Sequence, residues 1–158
     1  MNTSRRGGKA KIAILVPKTL SVRSVALSQL RCATKLHAKG EYVCALTLAG
    51  AAEELLGRIA DAKGKTPSFD SWANVLQFIE RASGGESLSD KEARSEVNRA
   101  RNLCKHNDSG ANRRMRFDPR HESAAMILRA VCNYVGAFDI PPRDRLLRRW
   151  LFSYQNRD

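Results

Sequence analysis

Arg101 and His106, in the run Arg101-Asn102-Leu103-Cys104-Lys105-His106, pair a permanent cation with the side chain best suited to moving protons near neutral pH. A guanidinium can clamp a phosphate through two parallel hydrogen bonds, and an imidazole can take a proton from one oxygen or give one to another. Together they supply part of what metal-free cleavage of RNA requires. That reaction needs a base for the 2′-hydroxyl, an acid for the departing 5′-oxygen and a cation for the charge that develops on the phosphorane. One histidine cannot easily serve as base and acid together. A symmetric dimer would provide two, which makes self-association part of the expected mechanism.

The spacing sets a geometric condition. On a regular helix Arg101 and His106 point roughly 140° apart. They share a site only if the helix ends near Lys105 and the chain curls His106 back, or if the two groups meet across a dimer seam. Asn107-Asp108-Ser109-Gly110 follows at once and is turn chemistry throughout, which favours an early end. Upstream, Ser89 has the character of an N-cap, and Asp90 and Glu92 place negative charge on the first turn. One helix from Ser89 to about Lys105 is therefore predicted. Ala93, Val97, Ala100 and Cys104 form its core side. Arg94, Asn98, Arg101 and Lys105 form a stripe beside it, with stems held by packing and tips in water. Asn98 and Lys105 become candidate nucleic-acid contacts. The plainer alternative is that Arg101 and His106 are helix-terminal cations satisfying carbonyls and the dipole.

The elements that must position this stripe are also helical. Val22, Val25, Ala26, Leu30, Ala33 and Leu36 recur every three or four residues from Ser21 until Gly40. A second helix runs from about Glu41 to Ala62, with Val43, Leu46, Ala49, Gly50, Glu53 and Leu56 near one seam. Its small residues Ala45, Ala49 and Ala52 suit a close helix crossing. Gly50 and Gly57 inside it cost about 1 kcal/mol each, which close packing would offset. Glu53 is either a boundary carboxylate turned to solvent or an acidic partner for Arg101. After a loop, Phe69, Trp72, Val75, Leu76 and Ile79 mark a shorter helix. Gly64-Lys65-Thr66 in that loop lacks the upstream glycine and the strand of a phosphate-binding loop. Asp118-Pro119 opens a last long helix bearing Ala124, Ile127, Val131 and Tyr134, and Pro141-Pro142 ends it. Arg143 to Tyr154 is amphipathic. It suits packing on the bundle, a partner, or an anionic surface.

The expected fold is thus all-α: an up-down bundle of four to five helices over residues 21–140, an irregular basic arm over 1–20, and an additional C-terminal helix over 141–158. Ile12 to Val16, within the arm, is a short apolar run suited to an extended segment on the bundle or a partner-facing strand. It lacks the Arg/Ser pattern of a transit peptide. The net charge of +12 points to an anionic partner, with RNA the leading candidate. Both ends are basic and the middle slightly acidic, and Arg113, Arg114 and Arg116 add a basic loop to the candidate contact surface. Cys32, Cys44, Cys104 and Cys132 are spaced too widely for a metal knuckle and read as four reduced core thiols of a cytoplasmic protein. No metal or cofactor and no membrane span is expected.

The order of a long helix, a helix containing Gly50-Ala51-Ala52-Glu53-Glu54-Leu55-Leu56-Gly57, an intervening helix, a helix ending in Arg101-Asn102-Leu103-Cys104-Lys105-His106-Asn107 and a final helix resembles the HEPN superfamily of all-helical domains. The resemblance spans roughly residues 21–138 and rests on the Arg-x4-His motif, filled by Arg101 and His106, with the polar Asn102 after the arginine. It implies a metal-independent endoribonuclease whose two motifs meet at a homodimer interface, with Arg101, Asn102 and His106 in the site. It also implies alternatives: a non-catalytic helical module binding nucleic acid or protein, including a partner of the small nucleotidyltransferase type. The arm, the Arg113–Arg116 loop and the Trp150 tail lie outside it.

Overall fold

The computed structural model describes residues 18–84, 88–106 and 114–155. The arm to Pro17, with its Ile12–Val16 run, and Arg113 lie outside the described residues. Among the described residues seven helices follow one another: α1 (Val22–Ala38), α2 (Tyr42–Asp61), α3 (Ser68–Ala82), α4 (Asp90–Val97), α5 (Arg99–Lys105), α6 (Pro119–Phe138) and α7 (Arg145–Gln155). No strand occurs among the described residues.

Local chemistry sets three of the helix starts. The Ser21 hydroxyl accepts from the Ser24 amide at 3.1 Å and opens α1. Ser89 and Glu92 form a reciprocal capping box at α4, with the Ser89 amide donating to Glu92 Oε2 at 2.9 Å. Asp118 accepts from the amides of Arg120 and His121 before Pro119 starts α6.

The core lies where α2 packs along α1 and α6. Ala26, Leu30 and Ala33 of α1 meet Leu46, Ala49, Ala52 and Leu56 of α2 and Ile127, Ala130 and Tyr134 of α6. Ala45, Ala49 and Ala52 are fully buried, as the close crossing requires. The C-terminal helix belongs to the same body: Leu147 and Trp150 of α7 join this cluster, and Arg31 of α1 ion-pairs with Asp144 at 2.6 Å. Fully burying each leucine contributes about 1.5–3 kcal/mol.

Three expectations require correction. The apolar stripe of α3 is only partly covered: Trp72, Val75, Ile79 and the neighbouring Phe78 are exposed, Phe69 and Leu76 are half-buried, and Ala73 and Gln77 are buried. Polar contacts hold α3. The Ser68 amide donates to Asn133 Oδ1 at 2.6 Å, its hydroxyl donates to the Arg129 carbonyl at 3.0 Å, and Gln77 donates to the Leu88 carbonyl at 2.9 Å. Three of the cysteines are not core thiols: Cys32, Cys44 and Cys132 are exposed, whereas Cys104 is half-buried against the core, and all four are free. Finally, the single helix expected from Ser89 is broken at Asn98. The Arg129 guanidinium occupies the break, donating to the Val97 carbonyl at 3.2 Å and to Asn98 Oδ1 at 3.4 Å.

Candidate functional site

The second helical segment ends as its turn-rich sequel demands. α5 stops at Lys105, and His106 is extended (φ −123°, ψ 131°) with its amide still bonded to the Asn102 carbonyl at 2.9 Å. Its imidazole is exposed. Asn102 and Lys105 are exposed beside it, as are Arg114 and Arg116 beyond.

Arg101 is placed differently from expectation. Its tip does not stand in water, because the residue is only 8% exposed. The side chain lies across Gly50 of α2, where an added Cβ would fall 2.8 Å from Nε. The glycine is therefore a slot for a side chain rather than for a backbone crossing. From there Arg101 Nη2 reaches Glu54 Oε2 at 2.6 Å. The hydrogen bond from Arg101 holds the Glu54 carboxyl below the ordinary carboxylate range, against desolvation, and the charges of Arg101, Arg58 and Lys105 act in the same direction. Arg101 Nε is buried without a partner.

The acidic partner of Arg101 is thus Glu54 and not Glu53. Glu53, one residue earlier, points about 100° away on the helix and pairs with Arg129 of α6 at 2.9 Å, both side chains nearly sequestered (5% and 3% exposed). Burial pulls the Arg129 guanidinium below the usual arginine value, while Glu53 beside it works the other way. Asn133 completes the network, donating to the Glu53 carbonyl at 3.0 Å while accepting from Ser68. Gly57 makes room for it, since a Cβ there would lie 3.1 Å from Asn133 Nδ2. A charged residue among Met126, Ile127, Ala130 and Val131 was the signal in the sequence that α6 carries polar groups into the core.

Arg94, Asn98 and Arg101 converge on an open cleft of about 340 Å³ between α2, α3 and α4–α5, whose other walls include Glu53, Glu54, Gly57 and Phe69. Arg94 is held to Asp70 at 2.7 Å. His106, Asn102 and Lys105 do not line this cleft. The chain therefore joins three members of the predicted stripe and leaves the imidazole on a separate exposed edge. Among the described residues no three His, Cys, Asp or Glu side chains gather to hold a metal ion, and no helix is long and apolar enough to cross a membrane.

His37, which no sequence motif singles out, is 4% exposed and bonded through Nδ1 to Ser123 Oγ at 2.9 Å. Its neighbours Tyr42 and Trp150 come from α2 and α7. Comparison with family models, curated proteins and solved structures finds no match to this chain.

Proposed function

We propose that this chain is an RNA-directed, HEPN-like protein that cleaves RNA without metal at a site shared between two copies. The observation that carries the reading is the end of α5 between Lys105 and His106, which frees an imidazole five residues after an arginine fixed by Glu54. Arg101 faces the cleft and His106 does not, so the two functional groups complement one another most simply across a dimer seam. The exposed apolar stripe of α3 gives association a surface to bury. The net charge of +12 draws the RNA.

The test is cleavage of RNA by purified protein in excess EDTA. His106→Ala is expected to lower the rate by about 10²–10⁴-fold while leaving RNA binding nearly intact. An active wild type that light scattering finds strictly monomeric, or an undiminished His106→Ala, overturns the shared site.

A second reading has its own support. Arg101 is buried and ion-paired, as befits a structural residue, which favours a non-catalytic helical module that binds nucleic acid or a protein partner such as a nucleotidyltransferase. RNA binding by a wild type that cleaves no RNA supports this alternative.

A further inference from the structure

A second cavity, of about 450 Å³, lies where α7 closes over α1, the start of α2 and the start of α6. It is separate from the Arg101 cleft and from the His106 edge. Aromatic rings form much of its wall: His37 stands edge-on to Tyr42 at 5.2 Å and to Trp150 at 5.8 Å between centroids. Two exposed guanidinium-bearing residues, Arg120 and Arg149, stand at its rim, and among the described residues no carboxylate lines it.

Its polar groups are set as in a binding site. The Ser123 hydroxyl donates to the Arg120 carbonyl at 3.1 Å, so it accepts from His37, and Nδ1 carries that hydrogen. The buried imidazole is thereby fixed in one orientation. Trp150 is 7% exposed and lines the cavity, and its Nε1 is buried with no acceptor among the described residues. An indole N–H can only donate, and buried donors are nearly always satisfied. From Arg149 the positive charge continues through Arg145 and Arg148 of α7 and Arg143 just before it, beside the exposed Phe152, again with no carboxylate in the lining among the described residues.

We propose that this cavity binds a nucleotide unit, with the base against the half-buried Tyr42, next to the Trp150 ring that stacks on Tyr154, and the phosphate between Arg120 and Arg149. Aromatic walls accept any base through its π-face, and paired guanidiniums match a phosphate. A free anion would leave the aromatic wall unused, and a purely apolar ligand would leave the arginines unused. The nucleotide can come from a free nucleoside monophosphate or from a single-stranded RNA that runs on across Arg145 and Arg148. The proposal does not depend on cleavage at His106.

A Trp72→Phe background leaves Trp150 as the sole tryptophan, so its fluorescence reports on the cavity. Adenosine monophosphate, uridine monophosphate, inorganic phosphate and a short 5′-phosphorylated single-stranded RNA are titrated in turn. Saturable quenching by nucleotide is expected, weakened about tenfold or more by Arg149→Gln or Arg120→Gln, with calorimetry checking the affinities. His106→Ala is expected to bind as wild type, which separates this site from the cleavage reading. Tighter binding of the RNA, lost in Arg145→Gln/Arg148→Gln, identifies a strand as the source; equal affinity for the monophosphate identifies the free nucleotide. Either result supports the cavity. No quenching by any probe, inorganic phosphate binding as tightly as nucleotide, or unchanged affinity in both rim variants overturns it.

Discussion

A single methyl group at Gly50 reports on how tightly Arg101 is held. In a helix interior, alanine is favoured over glycine by about 1 kcal/mol, so Gly50→Ala would stabilise the protein if nothing stood in the way. Here the new Cβ would fall 2.8 Å from Nε, 2.9 Å from Cδ and 3.3 Å from Cγ of Arg101. Carbon contacts are optimal near ~3.5–4.0 Å. The arginine cannot simply swing away, because it is 8% exposed and tied to Glu54 at 2.6 Å. Overpacking of this kind costs about 1–3 kcal/mol. The balance is a net loss of roughly 0–2 kcal/mol. Gly136 supplies the calibration: a Cβ there meets no heavy atom within 4 Å, so Gly136→Ala is expected to gain about 0.5–1 kcal/mol. Urea melts of both variants measure the difference. In an Arg101→Ala background, Gly50→Ala is expected to recover the helical gain, with a coupling of about 1–3 kcal/mol between the two positions. If Gly50→Ala stabilises as much as Gly136→Ala, or behaves identically in both backgrounds, Arg101 is not wedged against that glycine.

The buried network and the cleft give two further expectations. Arg129→Met strands the Glu53 carboxylate and is expected to cost about 3–5 kcal/mol in a denaturant melt, with much of the loss recovered by adding Glu53→Gln; a single variant as stable as wild type would mean that the pair is not buried in solution. Glu54 titrates below its ordinary 4.5, so its stabilising contact is complete above that value and is lost as pH falls through the depressed one. Glu54→Gln is therefore expected to flatten the acid limb of the stability–pH curve below about 4.5, and identical limbs in the two proteins would refute the pairing with Arg101.

Helix starts were legible because their causes are local. Ser21, the Ser89–Glu92 box and Asp118-Pro119 act within three residues of themselves, and each opens the helix expected of it. The end of α5 before His106 was legible for the same reason. The covering of α3 was not, because periodicity identifies an apolar face and says nothing about what lies over it: Trp72, Val75 and Ile79 share a stripe that this chain leaves open. The choice between Glu53 and Glu54 was equally hidden. Two adjacent glutamates face different neighbours, and Arg129, a residue far along the chain, decides which of them is taken. The cavity beside Trp150 draws on α1, α2, α6 and α7 and has no signature in any one segment.

The break at Asn98 bears on the order in which the molecule assembles. Residues 90–105 carry helix signals of their own, but the side chain that parts α4 from α5 lies 31 residues beyond Asn98. Helix formation within a short segment takes about 0.1–1 μs, whereas contacts distant in sequence wait for the loop between them to close. The break is therefore expected to form only once α6 has docked. On a ribosome the delay is longer, since residues 90–105 are synthesised before Arg129 exists. A chain halted in that interval has the arginine–histidine motif but not the Arg129 contacts to Val97 and Asn98.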